Sequence, residues 1–385
     1  MKVTTAAFGR FPTFNQAVEL EKRGILFQFL SNYPKSMALK AGVKEKNLKI
    51  MLYTGILNRI NKKIKSRPFT HYLHKAFAKD VLNNLNMDTE IVIGMSSFNF
   101  EVIKNLQGSN IIKITDHASV HLEEMERTIN DEISEFGLNG YSKIPQWSID
   151  IEKFEFDHSD YIFLCSNYVK ETFLKQGYSE SKLFVNNFGV DLHDFKKIKK
   201  EDDKFRIIYC GGIKVAKGVH YLLKAFNELQ LQNAELWLIG AGYPNKDLDH
   251  VIKDMGINFD DVYFKGSHPQ NQLYKLFSQG SVFCFPSLSD GFGLVVPQAM
   301  ACGLPVIVTE NTGAKDIVNA KNGFIVPIKN IEEIKKKILI LYNDRDLLLS
   351  MSEYVVSEQN LTSISWDSYG RRLENNLKRI VTENG

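Results

Sequence analysis

The sequence predicts an α/β protein of two Rossmann-like domains, each a parallel sheet covered by helices on both faces, set across a central cleft. Three observations predict it. In the second half, short apolar runs alternate with apolar residues at helical spacing at least five times, with short connections, as in a parallel sheet with helical crossovers. The first half alternates in the same way but less regularly, around a larger insertion at about 40–80. Between the halves, 196–204 (KKIKKEDDK) is charged and almost free of apolar residues, which marks a linker. The expected division is 1–195, 196–362 and a last segment, 363–385. Ligands of such folds bind outside the carboxyl ends of the strands.

In chain order, strands are expected at 3–8, 25–30, 91–93, 111–114, 161–165 and 183–185, and helices at 14–22, 72–85, 122–136 and 169–175. The second half opens with the run 205–210 (FRIIYC), ended by Gly211 and Gly212. Val219, Tyr221, Leu222, Leu223, Ala225, Phe226 and Leu229 then repeat at helical spacing. A strand at 235–239 (ELWLI) ends at Gly240-Ala241-Gly242, and another covers 262–264. A helix at 270–278, a strand at 281–285, a helix near 297–301, a strand at 305–308, a helix after Thr312, a strand at 324–326 and a helix at 331–341 complete the alternation.

Of 385 residues, 44% are hydrophobic and 24% charged, enough for two cores and too apolar for a disordered or low-complexity chain. No apolar run approaches the about 18 residues of a membrane-crossing helix, and the amino terminus shows no signal-peptide pattern. Cys165, Cys210, Cys284 and Cys302 lie far apart with no CxxC pair, which argues against a zinc module or disulfide scaffold and fits a reducing cytosol.

The net charge of +3 hides an asymmetry. Residues 1–79 hold sixteen Lys or Arg against three acids, +13, which leaves −10 for the rest; twelve of the cations lie from Lys35 to Lys79. Such a face implies an anionic partner. Within it Ile56, Leu57, Ile60 and Ile64 mark one side of a helix, with Arg59, Lys62, Lys63, Lys65 and Arg67 around them. Two readings stay open: a basic amphipathic helix lying on anionic lipid, or a solvated surface helix. No nucleic-acid-binding module is present, so nucleic acid is not an expected partner.

The stretch 285–308, FPSLSDGFGLVVPQAMACGLPVIV, is the most informative. A strand ends at Pro286-Ser287, a loop with Asp290, Gly291 and Gly293 follows, and a helix starts around Pro297, since proline suits a first helical turn. The amides of Gly293, Leu294 and Val295 fall near the helix start with little bulk in the way, an anion site suited to a diphosphate. The alternative is a strand-turn-helix corner whose glycines only make the turn.

This stretch resembles the donor signature of GT-B glycosyltransferases of family 4, E-G-F-G-L-x-x-x-E-A-M-A-x-G-x-P-V. Asp290 falls on the first Glu and Gln298 on the second; Gly291, Phe292, Gly293, Leu294, Ala299, Met300, Ala301, Gly303, Pro305 and Val306 match. The resemblance implies that Asp290 contacts the donor sugar and Gln298 the ribose, with one methylene and one charge lost. The segment 211–218 (GGIKVAKG) resembles G-R-L-x-x-x-K-G: Lys217 falls on the diphosphate-binding lysine, and Gly212 replaces the paired arginine, for which Lys214 is a substitute. Gly266 and Ser267 fall where the family holds the base. Segments 312–316, 322–327 and 187–191 resemble G-G-x-x-E, N-G-x-L-V-x-P and the N-G-V-D linker motif. In the first half Gly9 falls on a glycine loop facing phosphate, or simply turns the chain. His117 or His121 falls near a histidine that points at the donor sugar. The final helix, about 366–380, is expected to cross back onto the first domain.

The resemblance implies a metal-independent, retaining hexosyltransferase that uses a nucleotide-diphosphate sugar as co-substrate, without a cofactor. Its acceptor would be a glycan or lipid-linked glycan, and its place cytoplasmic or peripheral on the inner membrane face. The acceptor hydroxyl attacks from the face the diphosphate leaves, the departing phosphate is the base, and Lys217 with the amides at 293–295 stabilises the leaving charge. A GT-B sugar-nucleotide epimerase and a catalytically weakened donor-binding scaffold are the alternatives. No GxGxxG followed by an acidic residue about 20 positions on is present, which argues against a dinucleotide oxidoreductase.

Overall fold

The computed structural model describes residues 1–9, 12–64, 70–138 and 144–384. Thirteen strands form two sheets. The first holds β1 (Val3–Ala7), β2 (Leu26–Ser31), β3 (Leu48–Ile50), β4 (Ile91–Met95), β5 (Ile112–His117), β6 (Tyr161–Leu164) and β7 (Leu183–Val185), in the order β3-β2-β1-β4-β5-β6-β7. The second holds β8 (Phe205–Cys210), β9 (Ala234–Ile239), β10 (Val262–Gly266), β11 (Val282–Phe285), β12 (Val306–Thr309) and β13 (Gly323–Val326), in the order β10-β9-β8-β11-β12-β13. Every pairing is parallel. That is why β8, β9 and β11 read as apolar runs: strands covered on both faces need apolar residues at every position.

The helices of the first domain are α1 (Thr13–Lys22), α2 (Lys35–Ala41), α3 (Leu52–Lys63), α4 (Thr70–Asn84), α5 (Phe100–Asn105), α6 (Leu122–Glu135), α7 (Gln146–His158) and α8 (Asn167–Lys175). Those that follow are α9 (Val219–Leu229), α10 (Lys246–Asp254), α11 (Leu273–Phe277), α12 (Val295–Ala301), α13 (Ile331–Asn343), α14 (Arg345–Val355), α15 (Glu358–Ser363) and α16 (Trp366–Asn384). Several depart from expectation. The helix after Thr312 is a 3₁₀ turn, Gly313–Ile317. The helix near Pro297 begins at Val295, so the proline lies inside its first turn. The insertion at 40–80 carries the edge strand β3 as well as helices.

Helix α16 packs on α1: Gln16 Nε2 donates to Tyr369 Oη at 3.1 Å, and Arg23 bridges to Asp367 at 2.9 Å. The domains also exchange side chains. Phe292, from the loop after β11, lies in the first-domain core 5.6 Å from Phe188, while Phe136 and Leu138 pack on the core of the second domain.

Helix α3 is turned inside out. Its polar Thr54, Asn58 and Asn61 are buried, and Leu52, Tyr53, Ile56, Ile60 and Ile64 are exposed, Leu52 to 71%. Thr54 Oγ1 donates to Asp80 Oδ2 on α4 at 3.0 Å, so hydrogen bonding rather than apolar packing holds the buried face. Of the cations expected around it, Arg59 and Lys63 are exposed, and Lys65 and Arg67 lie outside the described residues.

Candidate active site

Each sheet reverses its strand order at its third strand, β1 between β2 and β4, β8 between β9 and β11. The crevice outside the carboxyl ends at such a reversal is where open α/β sheets hold ligands. In the second sheet its walls are the turn after β8 and the loop after β11.

Lys217 ends the 3₁₀ turn Val215–Lys217, and Gly218 follows with φ 63°. A Cβ at Gly218 would lie 1.9 Å from the Pro286 carbonyl oxygen, so only glycine lets the two loops meet. Lys217 Nζ lies 2.7 Å from Asp290 Oδ2 and 3.5 Å from the Ser289 carbonyl. Asp290 Oδ1 accepts from the Phe292 amide at 3.2 Å, which folds the loop back toward the lysine. The next three amides, of Gly293, Leu294 and Val295, donate to no hydrogen-bond acceptor among the described residues. Gln298 sits one turn into α12, 7% exposed. The space a side chain would take at Gly212 is filled by Lys214, whose Cε would be 3.4 Å from a Cβ there. Tyr209 Oη donates to the Gly212 carbonyl at 2.7 Å and fixes that turn. Gly266 closes β10, its carbonyl accepting from Gly240 N at 2.8 Å, with Ser267 exposed beyond it.

On the first-domain side, Gly9 turns the chain after β1 with φ 98° and donates to Asn32 Oδ1 at 2.9 Å; Arg10 lies outside the described residues. Both histidines lie at the carboxyl end of β5. His117 is the last residue of β5 rather than beyond it, 1% exposed, with Nδ1 2.9 Å from Ser96 Oγ and its ring against Phe156 and Phe173. His121 is 2% exposed among Phe156, Phe173 and Tyr178. Burial holds both at about 4, so both are neutral at pH 7. Their rings enter the first-domain core because β5 ends against α7 and α8, and the backbone between them reaches the second domain instead. A Cβ on Gly291 would lie 2.4 Å from the Ala118 carbonyl oxygen. The Gly291 carbonyl accepts from Ser166 Oγ at 2.7 Å and from Cys165 Sγ at 3.2 Å. Asp316 Oδ2 accepts from Asn167 N at 2.7 Å and Asn187 Nδ2 at 2.8 Å. The loop bearing Asp290 is thus seated directly on the first domain.

Sequence reasoning passed over Asp116 and the pair Glu152 and Glu155. Asp116 precedes His117 at the carboxyl end of β5; burial lifts it to about 7 against the 3.0 Å hydrogen bond from Gln16 Nε2. A carboxylate at a strand's carboxyl end was the available signal. Glu155 accepts from the Ser97 and Asn99 amides, both at 2.7 Å, and Glu152 from Ser97 Oγ at 2.5 Å. They clamp the loop after β4, where Ser97 takes the left-handed φ of 69°. Among the described residues, Asp191, His193 and Asp194 are one group able to meet a metal ion; all lie on the linker after β7.

Burial raises Glu152 from 4.5 to about 7. A raised acid favours folding fully below its unfolded pKa, and that advantage is lost as pH rises from about 4.5 to about 7. Glu152→Gln keeps an acceptor for Ser97 and removes the titration. Its stability relative to the parent should therefore grow by up to about 3 kcal/mol between pH 4.5 and pH 8. Urea melts at the two pH values read this directly, and a pH-independent difference would refute the assignment.

Two parallel-sheet domains, joined after β7 and packed loop to loop at their carboxyl ends, define the GT-B class. Residues 191–357 match the family described as glycosyl transferases group 1. An uncharacterized glycosyltransferase of Haemophilus influenzae is 34% identical over 161 residues, 41% of this chain and 44% of that protein. The capsular polysaccharide biosynthesis glycosyltransferase CapM of Staphylococcus aureus is 33% identical over 156 residues, 38% of this chain and 39% of its own. The chain thus spans less than half the length of these two relatives. Among solved structures, Anabaena HepE in complex with UDP and glucose superposes with a TM-score of 0.68, covering 98% of this chain and 99% of its own at 14% identity, a likeness of fold.

Proposed function

We propose that the protein is a retaining, metal-independent glycosyltransferase of family 4, which moves a hexose from a nucleotide-diphosphate sugar to a glycan or lipid-linked glycan acceptor. The observation that carries this is the Lys217–Asp290 pair at the strand reversal of the second sheet, 2.7 Å apart and continuous with the free amides of 293–295. A diphosphate in that crevice meets Lys217, with Lys214 as the second cation in place of the missing arginine. Asp290 orients the donor sugar and Gln298 the ribose. The base lies along Gly266 and Ser267, and Gly9 faces the phosphates from the first domain. His117 and His121 shape the β5 end from behind, through the backbone at 118. The transferase domains are taken as 1–195 and 196–362, with 363–385 returning to the first. The family region and the relatives' printed activities support this reading.

A thermal-shift panel of UDP-, GDP-, ADP- and dTDP-sugars, with and without Mg²⁺, tests it. A ligand at 100 times its dissociation constant adds about 2.7 kcal/mol of stability. A shift for one nucleotide, independent of Mg²⁺ and reduced in Lys217→Ala, supports the reading; no shift with any nucleotide overturns it.

The inside-out α3 supports a peripheral membrane partner on the cytoplasmic face. Its apolar stripe is exposed among the described residues, and residues 1–79 carry +13, the combination that binds anionic lipid. Ile56→Asp should weaken binding to phosphatidylglycerol vesicles about 10-fold, since it removes about 1.5 kcal/mol or more of apolar burial. Cosedimentation checks this; equal binding of variant and parent, or no binding at all, refutes the lipid face.

A further inference from the structure

We infer that the cavity between α4, α5 and α7 is a saccharide subsite that takes one neutral pyranose ring of the acceptor glycan. This deepens the transferase reading above and rests on it for the word acceptor, though not for the saccharide.

The cavity, about 530 Å³, falls within the ~300–1,000 Å³ usual for ligand sites. Its position follows from the topology. α4 and α7 precede the parallel strands β4 and β6, so both begin at the carboxyl end of the first sheet; Ser97 and Phe98 leave β4 at the same end. Phe98 stacks on Phe8 at 4.2 Å, and Phe8 is the neighbour of Gly9. The cavity wall therefore backs onto the crevice of the first sheet, beside the reacting centre rather than within it.

The lining has the chemistry of sugar recognition. Trp147, half-buried, is held edge to face by His71 at 4.9 Å and His74 at 5.7 Å, and with Phe98 and Phe154 it makes an aromatic wall for the C–H face of a pyranose. Lys75 and Lys104 stand against Glu101 and Asp150 around it, two cations to two carboxylates. That set offers donors and acceptors to ring hydroxyls with no net charge, which favours a neutral sugar over a phosphate. His74, in this wall, is kept neutral by burial, at about 4.

A second observation points the same way. Ser97, in the wall, is one of five non-glycine residues at positive φ among the described residues, and Glu152 and Glu155 hold it at 69°. Such backbone costs on the order of 1–3 kcal/mol and persists where surroundings over-determine it, as they do around binding sites. Two buried carboxyls spent on one loop position are explained if that loop must present its face to a ligand.

The test uses the full chain and methyl glycosides of glucose, galactose and N-acetylglucosamine at tens of millimolar. Saturation-transfer NMR reports binding, and a tryptophan-fluorescence change present in the parent and lost in Trp147→Phe is a second readout, since Trp237 and Trp366 also emit. At least one glycoside is expected to bind, and Trp147→Ala to weaken it about 10-fold, the loss of one stacking contact. The rim variant Asp150→Asn, on an exposed side chain, should weaken it severalfold without touching the core. Both should keep the parent's response to nucleotide sugars. No binding by any glycoside, or equal binding by the parent and both variants, overturns the subsite. If nucleotide sugars shift the melt and glycosides do not bind, the subsite fails alone. If glycosides bind at Trp147 and no nucleotide sugar does, the transferase reading fails and the saccharide site stands.

Discussion

Lys217→Ala is expected to lower kcat/KM for hexose transfer by about 10³-fold, ~4 kcal/mol of transition-state stabilisation. The leaving group gains negative charge as the glycosidic bond breaks, and Lys217 is the half-buried cation at the crevice. Its ammonium lies 2.7 Å from the Asp290 carboxylate. Asp290 therefore competes with the diphosphate for it. Asp290→Asn should consequently split the two functions, binding free nucleoside diphosphate more tightly while turning over more slowly. Lys214→Ala should cost less, since its side chain reaches over Gly212 from the exposed rim. Steady-state kinetics with calorimetric binding of the diphosphate checks the series. A Lys217→Ala enzyme within threefold of the parent would remove the lysine from the mechanism, as would looser diphosphate binding by Asp290→Asn.

Legibility in the sequence followed physical rules that particular residues illustrate. The central strands β8, β9 and β11 were readable because burial on both faces makes them continuous apolar runs. β3 was not: LKI is three residues long at a sheet edge, too short for any period. α7 was missed because its acids look solvent-facing. Glu152 and Glu155 instead point inward and hold the loop after β4, a long-range use that helical spacing does not announce. α3 was legible as an amphipathic helix, but the sequence could not say that its polar face is the buried one. Within the site, the stretch 285–308 announced its loop and helix through glycine placement. The pairing of Lys217 with Asp290 was approached through resemblance. The seating of Gly291 on Ser166 and Cys165, and of Asp316 on Asn167, joins residues more than a hundred positions apart. No local signal carries such a contact. The two histidines show the converse: adjacency to a strand end placed them near the crevice, and the alternation of the strand then turned His117 into the core.

The largest stability effect is expected at Glu132 on α6, where Glu132→Ala should cost about 3–5 kcal/mol. The carboxylate is fully buried between domains, 2.7 Å from His220 Nε2 on α9 and 2.5 Å from Lys329 Nζ after β13. Burial pushes its pKa up, and the hydrogen bonds from His220 and Lys329 outweigh that and hold it below 4.5. The pair therefore stabilises fully above the unfolded pKa and loses its contribution as pH falls below about 4.5. Removing Glu132 leaves the buried His220 imidazole without its acceptor, while Lys329 keeps Glu135 at 2.8 Å as its remaining carboxylate, so the loss falls mainly on the buried imidazole. Because α6 also packs on the turn bearing Lys217, loosening it should reach the crevice. The variant should unfold at lower denaturant, with part of the loss appearing as domain separation, a larger radius of gyration by small-angle scattering before the global transition. The triple variant Glu132→Leu, His220→Leu, Lys329→Met removes all three polar groups together and should recover most of the stability. If Glu132→Ala lies within about 1 kcal/mol of the parent and its scattering is unchanged, the domains are held by their other contacts, at Gly291, Asp316, Phe292, Phe136 and Leu138, and the buried ion pair contributes nothing to their closure.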